Sequence, residues 1–222
     1  MSAFLIGLDI GSSSVKASLL EIETGKVVSS ATSPEKEMEI MSDYPGWAEQ
    51  DPETWWYHVK QVVHNLKSKT NFKPGDIGAI GISYQMHGLV LIDKNKNVLR
   101  PSIIWCDSRA VEIGNQAFES LGEELCLGHM LNSPGNFTAS KLKWVKDNEP
   151  HIYDKVYKFM LPGDFIAMKL TGDIRTTASG LSEGILWDFV ENDLSALVMK
   201  QYELNNDHVP ELTPTFSIQG AI

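Results

Sequence analysis

The sequence predicts an α/β domain that opens on antiparallel hairpins. Three observations carry that prediction. The chain begins with three β-compatible runs joined by turns too short for a crossover, which only antiparallel neighbours allow. A helix with strong start signals and an apolar stripe follows. A further apolar run and several helical patterns then complete the order.

"FLIGLDI" reads as a buried strand, "GSSS" as a turn, and "VKASLLEI" as a strand with Val15, Ala17 and Leu19 on one face. "ETGK" closes a second hairpin and "VVSSAT" forms the third strand. At "DPETWW", Asp51 is an N-cap, Pro52 suits the first helical position and Glu53 complements the dipole. Trp55, Val59, Val62, Val63 and Leu66 then make one helical stripe, read as core. "KPGD" ends this region, and "IGAIGIS" predicts a buried strand. "LVLID", the turn "KNKN" and "VLRPSIIW" predict a further β pair. Helices are expected over 110–121, in "TASKLKWVKDNEP" up to Pro150, and in "DFIAMKLTG" with Gly172 as its cap. "TTASGLSEGILWDF" reads as loop and then apolar chain.

The 222 residues suffice for one sizeable core. A net charge of −10 argues against nucleic acid or anionic membrane as a partner, since both are bound by Lys/Arg surfaces. No apolar run is long enough to span a bilayer. The start "MSAFLIGLDIG" lacks a basic region and carries Asp9, so no signal peptide is expected. Cys106 and Cys126 make neither a disulfide framework nor a metal motif, which fits a cytoplasmic protein.

"LDIGSSSVKASL" is the most chemically suggestive stretch. Asp9 ends a strand, and Gly11, Ser12, Ser13 and Ser14 bring backbone N–H groups and hydroxyls to one place. Such a turn can hold phosphate, with the carboxylate holding Mg²⁺ through water. It is neither a Walker A loop nor a Rossmann turn. A plain hairpin turn with a strand-end aspartate is the other reading, and a solvated Lys16 belongs with it.

This hairpin, together with "WAEQDPETWW", "GISYQMHGLVLID", "IIWCDSR" and "LPGDFIAMKLTGD", resembles the FGGY family of carbohydrate kinases, its xylulokinase branch above all. The resemblance runs from Asp9 past Trp187 and implies a ribonuclease-H-like domain of the actin/hexokinase type, a mixed sheet flanked by helices. It implies that residues 1–222 are the N-terminal lobe of a two-lobe sugar kinase of roughly twice this length. The family's catalytic base, an aspartate in a "GGD" segment of the second half, has no counterpart here. The implied reaction is ATP- and Mg²⁺-dependent phosphorylation of a ketopentose, D-xylulose to D-xylulose 5-phosphate. Another sugar or polyol, or a non-catalytic sugar-binding module, are the alternatives. The expected partners are the sugar and ATP; a homodimer of the full-length protein is left open.

Residue by residue, Asp9 resembles the first-lobe catalytic aspartate that organises Mg²⁺ and the phosphoryl group. Gly11 to Ser14 resemble the phosphate-proximal turn, and Met86 and His87 the Met-His pair that contacts the sugar. Trp105, Asp107 and Arg109 match a W-x-D-x-R stretch near the sugar. His87 can exchange hydrogen bonds with a hydroxyl, Met86 offers pliable apolar contact, and Trp105 either walls the sugar or fills the core. Asp107 and Arg109 would share a face of a strand, touching substrate or pairing with each other. Asn136 follows an "SPG" turn and either lines the cleft or, by default, serves turn chemistry. One departure stands out: "TTASGLSEG" puts Thr177 and Gly180 where many xylulokinases carry acids.

Overall fold

The computed structural model describes residues 3–222, which divide into two compact units. The first comprises residues 1–40 and 51–85 of the chain, less the two undescribed ones; the second comprises 41–50 and 86–222. The short stretch 41–50 is therefore drawn out of the first unit's sequence to complete the second.

The first unit is a mixed sheet with a helix packed on it. Strands β1 (Phe4–Ile10), β2 (Val15–Glu21) and β3 (Val27–Ser33) form the expected antiparallel meander. Past β4 (Glu49–Gln50), which belongs to the second unit, come α1 (Pro52–Thr70) and β5 (Ile77–Tyr84). The order is β3-β2-β1-β5, with β5 parallel to β1. Strand alternation buries Ile6, Leu8 and Ile10 of β1 and Val15, Ala17 and Leu19 of β2. Asp51 caps α1 by accepting from the Glu53 N–H at 2.9 Å. The helix buries Trp55, Val59, Val62 and Leu66 against β2 and β3, each such side chain contributing about 1.5–3 kcal/mol. Asn71, in the left-handed region at φ 52°, ends it. His58, on this helix, is not simply solvated: its Nδ1 lies 2.9 Å from Ser33 Oγ, and burial lowers its pKa. β5 departs from expectation, because none of its side chains is buried. Its run is apolar, yet it is the edge strand of the described sheet.

The second unit is built from short ladders and helices around one core. β4 pairs antiparallel with β7 (Ser102–Ile103), and β6 (Val90–Ile92) with β8 (Lys158–Met160). The expected pairing of "LVLID" with "VLRPSIIW" across "KNKN" is reduced to two isolated bridges, Ile92 to Val98 and Leu89 to Ile103, while the regular ladder of β6 is made with β8. Helices α2 (Val111–Leu121), α3 (Glu123–Leu125) and α4 (Thr138–Asn148) follow, then α5 (Pro150–Tyr153) and α6 (Pro162–Thr171). Gly172 caps α6 at φ 82°, its N–H donating to the Met168 carbonyl. β9 (Arg175–Thr177) leads into α7 (Ala178–Glu183), where a loop was expected. Thr177 caps α7 through the Gly180 N–H, and Leu181 sits in the core. β10 (Trp187–Asp188), β11 (Asp193–Leu194), α8 (Ala196–Gln201) and β12 (Glu211–Thr213) complete the chain. Leu89, Leu91, Ile103, Leu142, Phe159 and Trp187 are among the core side chains. Among the described residues, no helix is long and apolar enough to cross a membrane.

Candidate functional site

Asp9 and its turn lie in the first unit. Asp9 stands on the face of β1 opposite Leu8 and Ile10, paired across strands with Lys16 on one side and Ser83 on the other. Its side chain is 51% exposed. Ser83 Oγ donates to Asp9 Oδ1 at 3.3 Å, and Lys16 Nζ is 3.7 Å from Oδ2, an exposed pair of small energetic weight. The turn closes through the Gly11 N–H on the Ser14 carbonyl, and the Ser13 carbonyl accepts from Met38. A Cβ on Gly11 would stand 2.9 Å from the Ser14 oxygen, so this tight turn needs glycine. The arrangement leaves an open carboxylate beside a compact, polar turn.

Met86 and His87 belong to the second unit. Met86 is 54% exposed. His87 has φ 59°, in the left-handed region that few residues but glycine adopt freely. Its neighbours over-determine that conformation. The His87 N–H donates to Glu183 Oε1 at the end of α7, and the His87 carbonyl accepts from Lys141 Nζ at 2.7 Å. Phe137 meets the ring edge-on at 4.3 Å. The next residue must be glycine, since a Cβ on Gly88 would stand 2.5 Å from the Pro162 ring. His87 Nδ1 also lies 3.1 Å from Glu183 Oε1, a close contact off the line of a hydrogen bond.

Lys141 joins two candidate segments. Fully buried on α4, its ammonium donates to the His87 carbonyl and, at 3.0 Å, to that of Ile104, the residue before Trp105. Burial pushes its pKa down to about 8, against the pull of Asp107, Cys106 and Glu183. Trp105 itself is 50% exposed, not a core residue.

Asp107 and Arg109 are held otherwise than two residues on one strand face: they lie in consecutive turns. Asp107 is 1% exposed and its carboxylate is saturated. It accepts from the Ala48 N–H at 2.6 Å, from the Arg109 N–H at 2.9 Å, and from the Arg109 guanidinium. Arg109 stacks 3.7 Å from the Trp47 ring centre and ion-pairs with Glu49 at 2.6 Å. Glu49 also pairs with Arg100, which pairs with Glu149. The Asp107 carbonyl accepts from Asn136 Nδ2. Of the two roles open to Asp107 and Arg109, this geometry provides the mutual pairing and offers no free carboxylate oxygen to a ligand.

Sequence reasoning missed Glu183 and Lys141. Lys141 had a signal: it falls on the buried face of α4 with Thr138, Leu142 and Val145, where a charge needs partners. Asp164 is a further buried acid. It accepts from Thr176 Oγ1 at 2.9 Å and from the Leu161 N–H, and burial raises its pKa to about 7.

The model of the FGGY family of carbohydrate kinases, N-terminal domain, matches residues 4–222. The xylulose kinase of Escherichia coli K12 is 34% identical over 218 residues, covering 98% of this chain and 43% of that protein. The chain thus spans less than half the length of the curated relatives it matches. The crystal structure of xylulose kinase from Rhodospirillum rubrum superposes with a TM-score of 0.87 at 28% identity, covering 99% of this chain and 44% of that one. Plasmodium falciparum glycerol kinase, at 19% identity and a TM-score of 0.86 over 99% of this chain and 44% of its own, shares the fold. The fold is of the actin/hexokinase type. A family match over nearly every residue, together with a relative 34% identical across almost the whole chain, leads to one conclusion: this chain belongs to the FGGY family of carbohydrate kinases.

Proposed function

We propose that the protein containing this chain transfers the γ-phosphoryl group of ATP to a ketopentose, D-xylulose, giving D-xylulose 5-phosphate, and that these 222 residues are its sugar-binding N-terminal lobe. The observation that carries this reading is His87. A strained, left-handed histidine fixed through its N–H, its carbonyl and its ring edge, next to an exposed methionine, is what a preorganised hydroxyl-binding group requires. The xylulose kinases among its relatives favour D-xylulose, while the glycerol kinase of the same fold makes a panel of acceptors the right assay.

In this reading His87 binds a sugar hydroxyl, Met86 and Trp105 offer apolar surface to the sugar's C–H groups, and Asp107 and Arg109 hold the Trp105 turn in place. The Gly11–Ser14 turn lies against the transferring phosphate. Asp9 suits Mg²⁺, since a single open carboxylate completed by water and nucleotide phosphates is the usual way that ion is held. The ion would neutralise charge developing on the phosphoryl oxygens. The base that takes the sugar's proton comes from the second lobe.

ADP release by the full-length protein, measured with xylulose, ribulose, fructose, gluconate and glycerol, tests the proposal. Xylulose should give the highest kcat/KM. His87→Ala should raise the sugar KM roughly tenfold or more with nucleotide binding intact. Inactivity on every pentulose would refute the substrate assignment. The isolated chain should bind sugar yet show no turnover.

A further inference from the structure

We infer that Glu183 is a positioning residue that sets the ring chemistry of His87, making Nε2 a hydrogen-bond acceptor that selects a donating sugar hydroxyl. The inference rests on the reading of His87 as a sugar contact. One carboxylate oxygen of Glu183 serves two ends of the same residue. It accepts the His87 N–H, which fixes the left-handed backbone, and it faces Nδ1 at 3.1 Å. A carboxylate facing Nδ1 favours the tautomer with the proton on that nitrogen, even where the contact is off-axis. Nδ1 has no solvent exposure, whereas the His87 side chain as a whole is 23% exposed. Nε2 is thus the ring nitrogen left for a ligand, and with the proton on Nδ1 it presents a lone pair.

The surroundings hold this choice in place. Phe137 packs edge-on against the ring and resists its rotation. Lys141, charged and close enough to act on Glu183, holds the other end of the His87 peptide. Glu183 itself is positioned by α7, whose start is capped by Thr177 and whose Leu181 is sunk in the core. A ligand offering only an acceptor at this point, such as a carbonyl or ether oxygen, would face lone pair against lone pair and bind poorly.

The test uses the full-length protein labelled with ¹⁵N-histidine. Long-range ¹H–¹⁵N correlation, at a pH where the ring is neutral and with His87 assigned by the His87→Ala variant, reports which nitrogen carries the proton. The expected wild-type result is a protonated Nδ1. Glu183→Gln keeps an oxygen for the backbone N–H but loses the charge. It should lower the Nδ1–H population and raise the sugar KM about threefold, with the ATP KM unchanged; Glu183→Ala should raise it about tenfold. A wild-type Nε2–H tautomer would overturn the inference, and that measurement needs no variant to fold. So would a Glu183→Gln protein with unaltered ring signals and sugar KM while His87→Ala is impaired. Unaltered sugar kinetics in His87→Ala would instead overturn the sugar-contact reading beneath it.

Discussion

Lys141→Met is the most informative single change, because its effect should depend on pH in a calculable way. The ammonium satisfies the carbonyls of His87 and Ile104. Methionine fills similar space and leaves both without that donor, at roughly 1–3 kcal/mol each. Against this stands the cost of burying the charge. In the unfolded chain Lys141 titrates at its ordinary 10.5; in the folded one at about 8. Between those values the unfolded chain holds the proton and the folded chain does not. Wild-type stability therefore rises with pH through that window, by about 3 kcal/mol from this group. At neutral pH the two effects largely offset, so the variant should sit within about 2 kcal/mol of wild type. Above the window only the lost hydrogen bonds remain, and the variant should fall behind by the full amount. Burial-raised cysteines and tyrosines also titrate at alkaline pH, but they are common to both proteins and cancel in the difference. Urea denaturation followed by tryptophan fluorescence at several pH values measures that difference directly. A gap that stays constant or narrows from neutral to alkaline pH would refute the reasoning.

Three further outcomes are expected. Asp107→Ala leaves the buried Arg109 guanidinium with Glu49 as its remaining carboxylate and the Ala48 N–H without its acceptor, and should cost about 2–4 kcal/mol in chemical denaturation; a loss below about 1 kcal/mol would show that the pair is dispensable. Gly114→Ala places a Cβ 1.8 Å from the Gly135 carbonyl oxygen, backbone against backbone, and should lower stability by about 2 kcal/mol or more, read as a drop in Tm. Asp164 titrates at about 7 in the folded chain against 3.8 unfolded. The folded state therefore holds the extra proton between those values, and stability falls as pH rises through them. Asp164→Asn should gain on wild type over that interval by a few kcal/mol, and parallel stability–pH curves would contradict it.

What the sequence made legible was whatever local chemistry decides. The N-cap at Asp51, the stripe from Trp55 to Leu66, the alternation in β1 and β2, and Gly172 at the end of α6 each act within a few residues. What escaped depends on distant partners. α7 has a weak helical sequence, with Ser179 and Gly180 inside it, and is held by a cap and one buried leucine. Glu183 meets His87 across 96 residues of chain, which no local pattern encodes. The spacing of Asp107 and Arg109 suited a strand, but turn backbone and a guanidinium stacked on Trp47 folded them onto each other. "IGAIGIS" had the composition of a buried strand, and only sheet order reveals it as an edge.

The excursion of residues 41–50 into the second unit sets an order of events during synthesis. Glu49 leaves the ribosome 51 residues ahead of Arg100, and Trp47 well ahead of Arg109 and Trp144. The first unit has all its own residues once Gln85 has emerged. Until Arg109 follows, the segment between its strand and helix must wait as an open loop, its tryptophan and carboxylate lacking their eventual partners. A nascent chain stalled in that interval would show a tryptophan in water and a protease-sensitive site within 41–50, both lost once α4 is complete.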